Sequence, residues 1–535
     1  MSGQFTPDEA RALAPYFTNL DRPIFALRNL PETVKGALFA RYSRSAKSLR
    51  RLFLDEFLED VHSAPASTGD GAGAARADQL YARVLNEYGD DSVAQLGGAH
   101  VACEGVSNLL TKVLERGRLM SYLEQSTRYV PYTDRPEGRW RYHVPAEVRD
   151  AALLDRFCEV MDLAFETYAR WVPQLEAHFR TKYPKSADDS EAVYRSVIRA
   201  KALDTLRGLL PAATTSNLGI FGSGQGYEAL ILRMRAHPLA EVRVCAEQLL
   251  VELQQVIPAF VARLDQPARG GRWVEYLAAT RRRAEASVRG AVDGVVPEVP
   301  DAEVVLTEWD PDGEVKVAAS IIYGQSSLSD AQAFEAARRL TVSERSALLA
   351  AYCGSRENRR HKPGRAFERT RYRFDVLSDY GAFRDLQRHR MLTVEWQALT
   401  PALGAVEPAA IEDAGAMRDW QRVMDASAEL FEQLVARGLR DAASYAVCMA
   451  YRVRFYLDMN AREAMHLIEL RTAPQGHPSY RRVCQAMHTA IRDVAGHRAL
   501  AGAMTFVDHS TVELERLQSE RALEQKRAAR EQSTH

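Results

Sequence analysis

The sequence predicts a predominantly helical α+β chain made of two tandem units. Three observations carry that expectation. The chain has 535 residues, well beyond the roughly 250–300 at which a single hydrophobic core stops growing. Apolar residues recur at helical spacing through most of its length. Two separate sequence blocks appear twice in the same order.

Residues 19–61 read as a turn followed by two segments of helical periodicity. The stretch SAPASTGDGAGAARAD at 63–78 is small, polar and glycine-containing, so an exposed loop is expected there. From Asp150 to Phe260 the pattern is long amphipathic helix, broken at LLPAATTSNLGIFGSGQG, where proline and glycine forbid a continuous helix. Valines around Asp-Pro-Asp-Gly after Val288 suggest a linker and then a strand opening the second unit, and RTRYRFDVLSDYG at 369–381 is a second strand candidate. Helices are expected to fill Arg418–Ala499, and the charged stretch 512–535 reads as a frayed helix or a solvated surface segment. The division is therefore a first domain at 1–287, a linker at 288–300, a second domain at 301–511 and a tail at 512–535.

The repeat tests this division from within. LRMRAHPLAEVRVCAEQ begins at Leu232 and LRTAPQGHPSYRRVCQAM at Leu470; both run Leu-Arg, His-Pro, Arg-Val-Cys. Upstream, RGRLMS at 116–121 echoes RHRMLT at 388–393.

Seventy basic residues against 71 acidic ones leave a net charge of −1, so no global field draws the chain to polymeric nucleic acid or to a membrane. A local basic run, Arg356, Arg359, Arg360, His361, Lys362 and Arg365, still offers a positive pocket. The six cysteines show no zinc spacing and read as reduced core residues; no metal site is expected. With neither a leader pattern nor a long apolar window, the expected location is cytoplasmic.

Three constellations can carry chemistry. In RGRLMSYLEQSTRYVPY (116–132), Glu124, Ser126 and Arg128 alternate, so an extended or looped backbone aims them together, and a hydroxyl beside a guanidinium fork suits a phosphate monoester. Arg388, His389 and Arg390 at a helix end suit a diphosphate or a heteroaromatic ring. In DMNAREAMHLIELR (458–471), Arg462 and His466 share a helix face above an apolar stripe of Met465, Leu467 and Ile468. Taken singly, each is also compatible with an ordinary solvated surface.

Together they resemble flavin-dependent thymidylate synthases, whose pattern is RHRxxSxNExSxRY, then an arginine before Leu-Pro, then NAR and a Leu-Arg pair. The first half matches at Arg116, Arg118, Ser121, Glu124, Ser126, Arg128, Tyr129, Arg207, Leu210, Pro211 and Arg233, and departs at Gly117, Leu123 and FGSGQG. The second half matches at Arg388, His389, Arg390, Asn460, Ala461, Arg462, His466 and Arg471, with Thr393 preserving a hydroxyl. Its losses mirror those of the first: Glu395, Trp396, Ala398, Thr400, Ser444 and Cys448.

The resemblance implies a small antiparallel sheet with long helices in each half and reductive methylation of dUMP, with methylenetetrahydrofolate as carbon donor, FAD as relay and NADPH as electron source. It assigns Arg116, Glu124, Gln125, Ser126, Arg128, Arg207 and Arg233 to the substrate, and Arg388, His389, Arg390, Asn460, Arg462 and His466 to the cofactor. Arg233 or Arg471 would stabilise the pyrimidine anion. Family sites form between protomers of a tetramer, so a homodimer of tandem chains imitating that tetramer is implied. Two other readings stay open: a protein that binds nucleotide or flavin without turnover, and a helical RNA-binding module using Arg356–Arg365.

Overall fold

The computed structural model describes residues 5–43, 45–62, 95–150, 153–296, 298 and 300–533. The loop expected at 63–78 lies outside them. Two compact units emerge, the first comprising Met1–Val106, Val113–Glu124 and Ser216–Val296, the second Ser107–Lys112, Gln125–Thr215 and Pro297–His535. This partition differs from the linear one, because residues 125–215 of the first half pack with the second half.

The first unit is organised on a three-stranded sheet of order β1-β3-β2, formed by β1 (Gly98–Ser107), β2 (Met120–Glu124) and β3 (Thr215–Ser223). β2 runs antiparallel to β3, with Met120 opposite Gly222 and Glu124 opposite Leu218. Strand β3 buries every second residue, the period of a sheet with one covered face. The break expected at 209–226 is therefore largely this strand. Ser223 ends it and caps the helix Gly224–Arg235, its hydroxyl accepting from Gly226 N at 3.2 Å.

The second unit repeats the scheme with one more strand. β4 (Val304–Trp309), β5 (Arg371–Asp379), β6 (Thr393–Trp396) and β7 (Arg452–Asn460) form an antiparallel sheet of order β4-β5-β7-β6. Both strand candidates read from the sequence, β4 and β5, are present. The continuous helical filling of 418–499 is corrected, since β7 lies inside that window and pairs with β5 along nine residues. Val453, Phe455, Leu457 and Met459 are buried while the residues between them are half-exposed, and that period-2 burial selects strand over helix.

Asp379 accepts from Ala382 N at 2.9 Å and starts the helix Tyr380–Leu386; Asn460 accepts from Glu463 N at 2.9 Å and starts the helix Ala461–Arg471. The unit thus holds two strand, cap and helix modules whose helices run toward the same motifs. Long helices cover them: Leu154–Lys182 packs on Met417–Ala436, where Trp171 Nε1 donates to Asp419 at 2.8 Å. The repeated His-Pro pairs share a local bond, His237 and His477 each accepting through Nδ1 from the backbone N–H two residues on, at 3.2 Å, and His477 is thereby the cap of the helix Pro478–Asp493.

The charged tail becomes a helix, Leu517–Ser533. It is anchored, because Glu515 pairs with Lys201 at 2.6 Å and Arg521 with Asp189 at 2.5 Å. Among the described residues no helix is long and apolar enough to cross a membrane.

Candidate functional site

The helix Glu191–Leu206 ends in Asp204, and a tight turn after β2 brings Arg128 against it. Ser126 organises that turn, its hydroxyl accepting from Arg128 N at 3.2 Å and its carbonyl from Tyr129 N at 3.2 Å. Arg128 Nε donates to both Asp204 oxygens at 2.8 and 3.0 Å, Nη2 donates to Oδ2 at 2.6 Å, and Nη1 donates to the buried Tyr480 hydroxyl at 3.1 Å. The guanidinium holds the Asp204 carboxyl at about 2 even though burial pushes it the other way.

One turn past Asp204 stands Arg207, 4% exposed. Its nearest carboxylates are Asp385 at 3.6 Å and Asp379 at 3.8 Å, and its Nη2 has no hydrogen-bond partner. Gly381 makes this position possible, since a Cβ there would lie 2.9 Å from Arg207 Nη2. A second carboxylate gathers the remaining arginines. Asp385 takes Arg388 Nη2 at 2.6 Å, has Arg471 Nη1 at 3.6 Å, and is held far below the usual carboxylate range by Arg388, Arg471, Arg207 and Arg128 against its own burial.

Arg471 ends the helix that Asn460 begins. Its Nη2 donates to Asp385 O at 2.5 Å and its Nε to His389 Nε2 at 3.0 Å. An arginine N–H is only a donor, so His389 Nε2 carries the lone pair and Nδ1 the proton. That proton faces Glu463 Oε1 at 3.3 Å. Burial depresses the His389 imidazole well below its ordinary value and raises the Glu463 carboxyl. His389, Glu463 and His466 place one donor atom each within 4.8 Å of one another. Glu463, His389 and Arg471 thus form a hydrogen-bonded chain that fixes Arg471, while the His466 ring lies against His389 with centroids 5.4 Å apart.

The second unit thus assembles Ser126, Arg128 and Arg207 from one half of the sequence with Arg388, His389 and Arg471 from the other. Gln125, Arg390, Asn460, Arg462 and His466 belong to it as well. Arg390 is exposed, Asn460 is the helix cap, and Arg462 Nε donates to Pro363 O at 2.9 Å. The first unit holds Arg116, Arg118, Glu124 and Arg233. Glu124 closes β2 in the first unit, and Ser126 and Arg128 form the turn that follows in the second. Burial and the nearby Arg116 lower the Arg233 pKa, and at Gly117, where a histidine was looked for, a Cβ would meet the Tyr122 hydroxyl at 2.6 Å.

Sequence reading missed Asp204, Asp385, Glu463 and Tyr480. Two of these left a signal: Asp204 and Asp385 each precede a motif arginine by three residues, one helical turn. Within the basic run Arg356–Arg365, Arg356 is withdrawn against Glu469 with two bonds of 2.6 Å, whereas Arg360, His361, Lys362 and Arg365 are exposed and Arg365 pairs with Glu368.

The family model described as thymidylate synthase complementing protein matches residues 37–259 and 304–496, so the chain belongs to that family. A UPF0159 protein of Chlamydia muridarum is 39% identical over 524 residues, covering 97% of this chain and 98% of the relative. A flavin-dependent thymidylate synthase of Mycobacterium tuberculosis is 32% identical over 184 residues, covering 34% of this chain and 68% of that enzyme. Among solved structures, a UMP/dUMP methylase PolB from Streptomyces cacaoi bound with 5-Br dUMP is 18% identical and has a TM-score of 0.29, covering 37% of this chain and 94% of that one.

Proposed function

We propose that the second unit binds dUMP and that the chain is an FAD-dependent thymidylate synthase, methylating dUMP reductively with methylenetetrahydrofolate and NADPH. The observation that carries this reading is Arg207 Nη2, a buried cationic donor with no hydrogen-bond partner beside Arg128, Arg388 and Arg471. An orphaned buried N–H costs about 1–3 kcal/mol, and an anionic ligand oxygen removes that cost.

Roles follow from the contacts. Arg128 and Arg207 take the phosphate. Arg471, held by His389 and Asp385, presents its guanidinium to the pyrimidine and stabilises negative charge on the ring, making C5 more nucleophilic. Burial pushes the Cys448 and Cys484 thiols up to about 12, so neither is an activated nucleophile. Arg390, Asn460, Arg462 and His466 would hold the flavin: the Asn460 amide nitrogen and the His466 ring make no hydrogen bond among the described residues, a donor set suited to its polar atoms. FAD, when bound, supplies the two-electron relay.

A second reading, binding without turnover, draws on Asp204 and Asp385, which already satisfy Arg128, Arg388 and Arg471 from inside the protein. One experiment separates the two. Purified protein is scanned for flavin absorbance, titrated with dUMP, and assayed for hydrogen exchange at C5. The synthase reading expects a yellow protein, saturable dUMP binding and exchange that Arg471→Ala abolishes. Binding with no exchange selects the second reading, and no binding at all refutes both.

A further inference from the structure

The C-terminal segment lies beyond both regions matched by the family model, yet it places an arginine at the nucleotide cluster. Arg516 is only 5% exposed. Its guanidinium sits 3.9 Å over the Tyr129 ring, next in sequence to Arg128. It makes no hydrogen bond or ion pair among the described residues. The segment is held there from both sides: Glu515 pairs with Lys201 at 2.6 Å, one turn before Asp204, and Arg521 pairs with Asp189.

We infer that Arg516 is a ligand-binding residue, a tail-borne cation that closes over the site and recognises the phosphate of the bound nucleotide together with Arg128. This rests on the nucleotide reading above and adds a specificity element to it. The physical case is one of charge. Asp204, the carboxylate that acts on Arg516, is engaged on both oxygens by Arg128, leaving it no free geometry for a second fork. Arg516 is therefore a desolvated cation beside another cation, and burial followed by Arg128 depresses its pKa. A buried charge without a partner is costly. The Tyr129 face recovers part of that cost, and a phosphate dianion shared with Arg128 recovers more. Arg207, which also acts on Asp204, brings Nη2, which makes no hydrogen bond, to the same anion.

The test compares dUMP with deoxyuridine, which lacks the phosphate, on the full chain and on Arg516→Gln. Arg516→Gln is expected to weaken dUMP about tenfold, the scale of one charge-assisted contact, to leave deoxyuridine affinity unchanged, and to be partly rescued by Arg516→Lys. Equal weakening of both ligands, or none for either, overturns the inference, because a merely structural tail does not discriminate phosphate. If the wild-type chain binds no nucleotide, the nucleotide reading fails by itself, and inorganic phosphate becomes the probe. Phosphate raising the melting temperature of the wild type but not of Arg516→Gln sustains the anion role; identical responses overturn it.

Discussion

At the residue scale, the centre of the second unit gathers arginines around its own carboxylates, and the proposed nucleotide would compete with those carboxylates for them. Asp204 is buried, the Arg128 side chain is only 11% exposed, and three close contacts join them. Removing one partner strands the other, so Arg128→Ala is expected to cost about 3–5 kcal/mol of stability. Arg128→Ala with Asp204→Asn is expected to recover most of that, and a urea-denaturation double-mutant cycle reads the coupling. A second prediction concerns pH. Burial lowers the His466 imidazole to about 4 from its ordinary 6.5. Between those values the unfolded chain binds a proton that the folded chain refuses, so this contribution to stability is intact above pH 6.5 and is lost as pH falls toward 4. Replacement by glutamine is expected to flatten the decline in denaturant midpoint between pH 6.5 and 4; an unchanged slope contradicts it.

At the element scale, strand, cap and helix modules deliver the motif residues to their places. Asn460→Ala removes the hydroxyl-free amide cap of the helix that carries Glu463 and Arg471, with an expected cost of about 1 kcal/mol. It also loosens Arg471, so nucleotide affinity should fall with stability, whereas a stability loss with unaltered affinity would separate the cap from the site. Much at this scale was legible. The Asp-Pro-Asp-Gly turn and the aromatic run at 369–381 announce β4 and β5, and the Leu-Arg and His-Pro repeats mark equivalent helix ends. β7 was hidden because RVRFYLDMN runs directly into AREAMHLIELR, so its period of two was absorbed into the helical pattern that follows. The tail was hidden for a different reason: helical charge patterning does not reveal that Glu515 finds Lys201 or that Arg516 finds Tyr129, since those partners lie more than 300 residues away.

At the scale of the whole molecule, the mirrored losses of the two halves find a physical meaning. A linear reading at 1–287 and 301–511 makes each half look defective, but 125–215 folds with the second half. Ser126, Arg128 and Arg207, which the resemblance assigns to the substrate, thereby join Arg388, His389 and Arg471 in one unit, while Gly117 and Arg233 remain in the other. Periodicity within a segment identifies its element but carries no information on which distant segment it packs against, and this pairing was the part the sequence withheld.

The proposed function places one nucleotide site per chain in the second unit, built from both halves of the sequence. Calorimetric titration of the full chain with dUMP is expected to give one equivalent per chain, unchanged in Arg233→Ala and lost in Arg471→Ala. Two equivalents, or loss in Arg233→Ala with normal binding in Arg471→Ala, would contradict that site.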